Sequence, residues 1–162
     1  MESNGGSGVR GWVLAICRIL GLCIFAAAFF LPAVKGGAPD SDGPVFAGWK
    51  CASIALSETN AVIGKSVHWP PPLEAVLVAM SGWINPLLAL ILLLSFWRKL
   101  RIVRMVFGAV ILLCMAATWT FFVLEKVTPL IGHVLWIAGA LLVLAADAVP
   151  RGASPARSES AA

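Results

Sequence analysis

Four long apolar runs alternate with short polar breaks along this chain. Residues 12–34, 75–97, 102–124 and 130–149 are dominated by Leu, Ile, Val, Ala and Phe. A helix over residues 75–97 would be roughly 35 Å long, enough to cross a bilayer core with some tilt. No charge interrupts that run. It ends in Arg98-Lys99-Leu100-Arg101, and the apolar pattern resumes around Arg104. This is the pattern of a transmembrane hairpin with a basic turn. The four runs together predict an all-α fold: an integral membrane bundle of four transmembrane helices.

The polar stretches predict the rest. Residues 1–11 form a Gly/Ser-rich head, expected to be mobile and cytoplasmic. Residues 35–74 form the one long loop, on the outer side. Within it, Val45, Trp49, Ala52 and Leu56 recur at helical spacing, with Lys50, Ser53 and Ser57 on another face. That pattern predicts a short interfacial helix over residues 45–56, with Trp49 as its membrane anchor. Around His68-Trp69-Pro70-Pro71-Pro72 the chain turns back. Glu74 then falls in the first turn of the second span, where its charge suits the helix dipole. Val127-Thr128-Pro129 reads as a tight outer turn, and Pro150 ends the fourth span. Residues 12–150 thus form the membrane domain, and residues 151–162 a disordered cytoplasmic tail. A cleaved signal peptide is the competing reading of the first run. Its candidate cut falls just before Pro39, which disfavours cleavage, so a retained span is expected.

Composition supports the lipid-facing reading. The chain is 60% hydrophobic and 12% charged, where a soluble domain carries roughly 25% charge. The net charge of +4 does not point to nucleic acid, because the basic residues cluster beside apolar spans. Those clusters orient the chain. Arg10, Arg18, Arg98, Lys99, Arg101, Arg104, Arg151 and Arg157 fall on one side of the four-span map. Only Lys35, Lys50, Lys65 and Lys126 fall on the other. The positive-inside rule then places both termini in the cytoplasm. Trp12, Trp69 and Trp97 fall at expected interfaces, as aromatic belts do, with Arg98, Lys99 and Arg101 beside them.

Candidate chemistry is sparse. Asn85-Pro86 lies near the middle of the second span. Pro86 removes a backbone hydrogen bond and crowds the carbonyl of Gly82, so a kink is expected there. Ser81, Gly82 and Asn85 would line a small polar notch. One reading is a substrate or ion site at a broken helix. The other is a packing kink in which Asn85 bonds a neighbouring helix for roughly 0.6 kcal/mol. Asp147 is the one acid within a span, close to the inner end, where cytoplasmic water or an arginine would meet it. His68, His133, Cys51 and Glu125 could gather at the outer face, but their spacing does not demand a metal or haem site. Neither cofactor nor metal is expected. Cys17, Cys23 and Cys114 read as small packing residues, while Cys51 is either free or paired with a second copy. The pairs Cys17/Gly21 and Ala116/Thr120, with Gly132 and Gly139, would let helices approach closely.

Leu31-Pro32, Gly48-Trp49, Trp83-x-Asn85-Pro86 and Gly132-His133-x-Leu135-Trp136 together resemble a pattern of small, uncharacterised four-span bacterial inner-membrane proteins. That resemblance implies location and fold, and no activity. The function expected first is therefore a non-enzymatic accessory or partner-binding subunit. Its partners would be the lipid bilayer and another membrane protein or a second copy, with no nucleic acid. Alternatives are a small transporter or channel component using the Asn85 notch, and a membrane enzyme or metal site at the outer face.

Overall fold

The computed structural model describes residues 5–37, 42–64 and 72–149. Six helices and a small sheet follow in the order α1 (Gly5–Ala28), β1 (Pro32–Lys35), β2 (Val45–Ala47), α2 (Gly48–Ile63), α3 (Leu73–Gly82), α4 (Ile84–Leu94), α5 (Arg101–Leu124), β3 (Thr128–Pro129) and α6 (Ile131–Ala148). Gly11–Ala28, Leu73–Leu94, Arg101–Leu124 and Ile131–Ala148 are each long and apolar enough to cross a membrane. The fold is the all-α membrane bundle expected from the pattern, with two departures in detail.

The first span stops at Ala28 rather than running to residue 34. Proline disfavours the helical region for the residue before it, so Leu31-Pro32 is a poor continuation of a helix. The chain leaves α1 through tight turns, with Phe29, Phe30 and Leu31 N–H groups donating to Ala26, Ala27 and Ala28 carbonyls. It then becomes a strand. The sheet has the antiparallel order β2-β1-β3. Val34 lies opposite both Phe46 and Pro129, and Lys35 opposite both Val45 and Thr128. It ties the connection after α1 to the turn between α5 and α6.

The interfacial helix is also displaced. It spans Gly48–Ile63, starting later and ending later than the apolar period suggested. No side chain caps its N-terminus. Instead the Gly48 and Trp49 N–H groups donate to the Leu31 and Phe29 carbonyls at 3.1 and 2.9 Å. The orphan donors of α2 thereby satisfy orphan acceptors left by the end of α1. Its buried stripe is Ala55 and Thr59, packed on α3. The Thr59 hydroxyl lies 2.8 Å from the Ala55 carbonyl and 2.9 Å from the Ala79 carbonyl across the interface. The apolar Val45, Trp49 and Leu56 face away from the bundle, where lipid would meet them.

A close interhelical seam joins α1 to α6. A Cβ on Gly139 would come within 2.6 Å of the Phe25 nitrogen, and one on Gly21 within 2.9 Å of the Gly139 carbonyl. Phe25 stacks on Trp136 beside this seam. Towards the end bearing Arg18, Arg101 and Arg104, the core is closed by Leu88 and Ile91 of α4, Ile111 and Cys114 of α5, and Ala140 and Val143 of α6.

Candidate functional site

The half of the bundle away from the arginines is hollow. The second span breaks at Trp83, between α3 and α4. Pro86 has no N–H to return to Gly82, and small residues line the break. A partly open cavity of about 270 Å³ results. Its walls come from α2 (Cys51, Ala52), α3 (Val78, Ser81), α4 (Asn85), α5 (Thr118, Phe122), α6 (His133, Trp136) and the sheet. Among the described residues no Asp, Glu, Lys or Arg lines it.

Its polar groups are few and mostly engaged. Trp136 Nε1–H donates to Asn85 Oδ1 at 3.1 Å, tying α6 to the break. The Ser81 hydroxyl donates to the Val78 carbonyl at 2.7 Å, and that of Thr118 to the Cys114 carbonyl at 2.9 Å. Both are back-bonds within their own helices. The Asn85 amide nitrogen has no hydrogen bond among the described residues. His133 is 6% exposed, and its ring sits 4.7 Å from Phe122, 5.4 Å from Trp136 and 5.9 Å from Trp119. His133 Nε2 is buried with no hydrogen-bond partner among the described residues. Burial raises the Cys51 thiol pKa, an effect only partly offset by a backbone hydrogen bond. The thiol is therefore a poor nucleophile at neutral pH.

A second constellation closes the opposite end. Asp147 of α6 accepts from Arg104 Nε of α5 at 2.8 Å and from the Arg18 guanidinium of α1. The same Arg104 donates to the Leu94 and Trp97 carbonyls, each at 3.0 Å. Those carbonyls, at and just beyond the end of α4, each also accept a backbone N–H, from Trp97 and Leu100 respectively. Arg101 reaches the Ala148 carbonyl at 3.4 Å. The ends of α4, α5 and α6 thus meet the middle of α1 in one ion and carbonyl network, with the Arg104 and Asp147 side chains 7% and 8% exposed.

The sequence candidates divide accordingly. Asn85, His133 and Cys51 come together around the cavity. Pro86 shapes the break but is exposed, and Glu125 is exposed in the turn after α5, away from the lining. His68 and Trp69 lie outside the described residues, as do the tail over 151–162 and the Arg98 side chain. Glu125 does not join His133 and Cys51 at the cavity. Among the described residues no three of His, Cys, Asp and Glu converge. All four cysteines are free, and Cys23 is exposed rather than packed. Ala116 and Thr120 are exposed, whereas Gly21, Gly132 and Gly139 are close-approach positions. Trp12, Trp49 and Trp97 are exposed, as anchors are, and so are Lys99 and Arg101. Pattern reasoning missed the Trp136 bond to Asn85 and the second arginine on Asp147. The clue to the latter was an acid and two arginines, each near the same end of a different span. No family model, curated protein or solved structure matches the chain.

Proposed function

We propose that this chain is a non-enzymatic multi-pass protein of a bacterial inner membrane that holds a small lipophilic molecule in the cavity beside Asn85. The observation that carries this reading is the cavity itself, because membrane helices do not leave roughly bicyclic-sized space between their side chains without cost. An engineered apolar cavity of about 150 Å³ already accepts benzene. Binding is favoured over conduction because the path towards the arginines is blocked by Ile84, Leu88, Ile91 and Ile111, all nearly fully buried. Binding is favoured over catalysis because a general base needs an orienting group, and no Asp, Glu, Lys or Arg lines the cavity beside His133 among the described residues. The binding site gives the accessory-subunit expectation a physical object: the bound molecule, or the shape it imposes, is what a partner would sense.

Native mass spectrometry of the detergent-purified chain tests this. The wild-type protein should carry a small adduct that Ala52→Phe, which grows into the cavity, abolishes. An adduct that persists on Ala52→Phe, or is absent from both, would sink the binding reading. The basic cluster of Arg18, Lys99, Arg101 and Arg104 supports both termini being cytoplasmic. Reporter fusions at Lys99 and at the C-terminus should both signal from the cytoplasm. A periplasmic signal from the C-terminus would overturn that topology.

A further inference from the structure

From the make-up of the cavity wall we infer the chemical class of its occupant: a neutral, compact ring compound bearing one hydrogen-bond-accepting oxygen. This deepens the binding reading and rests on it.

Size sets the first limit. The cavity of about 270 Å³ is less than twice the volume that takes benzene. A fused two-ring system fits that bound, and a full phospholipid does not. Charge sets the second. No charged side chain lines the cavity among the described residues, so a carboxylate or ammonium would enter without a counter-ion. Burying an unpaired ion in apolar surroundings is far more costly than burying a neutral oxygen. Shape sets the third. Phe122, His133 and Trp136 bring aromatic rings to the same side of the cavity, and ring edges and faces favour another ring over a flexible chain.

Hydrogen-bonding capacity sets the last. Ser81 and Thr118 spend their protons on helix carbonyls. Asn85 Oδ1 is taken by Trp136, so the amide is fixed in orientation with its NH₂ left over. An amide nitrogen donates and does not accept. The Ser81, Thr118 and Asn85 oxygens keep lone pairs, but of these three residues only Asn85 offers a free donor, and the group that pairs with it is an oxygen with a free lone pair, such as a ketone. Asn85 is the specificity residue of this assignment, and the aromatic wall supplies affinity without selecting polarity.

Three probes separate the terms: naphthalene, its methyl ketone 2-acetylnaphthalene, and the anion 2-naphthoate. Each is equilibrated with the full chain in nanodiscs, with empty nanodiscs as the partition reference. The ketone should bind saturably and about tenfold tighter than naphthalene, the worth of one well-formed hydrogen bond in a dry site. The naphthoate should not exceed the reference. Asn85→Leu should bring the ketone down to the level of naphthalene, while Thr120→Ala, on the exposed face of α5 and outside the cavity wall, leaves the ratio unchanged and serves as a folded control. Equal binding of ketone and naphthalene by the wild type would overturn the ligand class but leave the pocket standing. Saturable naphthoate binding would overturn neutrality. No saturable binding of any probe would remove the pocket reading, and this inference with it.

Discussion

At the scale of single residues, Asn85 shows both the reach and the edge of sequence reasoning. Its depth and its proline were visible, because ten residues of helix place it near mid-span. Its partner was not, since an asparagine can bond any helix that packs nearby. The structure supplies Trp136, and this changes the expected cost of losing the amide. Asn85→Leu deletes an acceptor and strands a half-buried indole N–H, so it should cost about 1–2 kcal/mol rather than a few tenths. Trp136→Phe removes the donor but keeps an aromatic ring against Phe25 and His133. A double-mutant cycle on thermal unfolding in detergent should return a coupling near 1 kcal/mol, within the span known for membrane hydrogen bonds. A coupling indistinguishable from zero would mean that the bond contributes nothing and that Asn85 is held by packing alone. His133 was equally visible as a residue and equally opaque as an environment. Nothing local to Gly132-His133 reveals that Phe122 and Trp119, from another helix, will enclose its ring.

Elements were legible where one physical rule dominates. Lipid leaves no water for backbone groups, so long apolar runs become helices of nearly the expected bounds. The sheet was illegible for the opposite reason. Thr128–Pro129 is only two residues long, and its pairing with Val34 and Lys35 joins segments far apart in sequence. The bundle-facing side of α2 was illegible because its contact stripe, Ala55 and Thr59, is small rather than strongly apolar. Close helix packing in membranes selects small residues, and a hydrophobicity pattern does not mark them. The glycines carry the same lesson into a prediction. At Gly139 an added methyl would meet the Phe25 nitrogen at 2.6 Å and the Gly21 carbonyl at 2.7 Å, both backbone atoms that cannot rotate away. At Gly108 it would meet only a flexible Leu144 methyl at 3.6 Å. Gly139→Ala should therefore force α1 and α6 apart and cost about 1–3 kcal/mol. Gly108→Ala should be neutral or mildly stabilising through helix propensity. Unfolding of the two variants in graded denaturing detergent decides the matter. Similar losses at both positions would show that the α1–α6 seam is looser than the geometry implies.

At the scale of the whole molecule the two halves of the bundle are built differently. The far half is hollow, with a short sheet and α2 around the cavity. The arginine end is packed and ion-locked, and its lock is a single acid shared by two bases. Asp147 touches Arg18 and Arg104, so α1, α5 and α6 meet on one carboxylate, and Arg104 carries the connection on to the end of α4. The three substitutions that break this lock should not be equal. Asp147→Asn takes the shared carboxylate away from two largely buried guanidinium groups. Breaking a buried pair from one side costs about 3–5 kcal/mol, and like-charge repulsion adds to it. Arg104→Leu frees Asp147 from one partner while Arg18 remains, but it also takes a charged donor from the Leu94 and Trp97 carbonyls, each left with one backbone N–H, so its cost should be intermediate. Arg18→Leu leaves the Arg104 pair and both carbonyl bonds intact. The Arg18 side chain is also the more exposed of the two, at 16% against 7%, so its loss should be the smallest. The expected order of destabilisation is Asp147→Asn, then Arg104→Leu, then Arg18→Leu. Thermal unfolding of the three in detergent gives the order directly, and hydrogen exchange locates it. Exchange should quicken first at the ends of α4 and α6, while amides around the cavity keep their protection. If Arg18→Leu proved the most damaging, or if Asp147→Asn opened the cavity half first, the lock would not be the organising contact of that end.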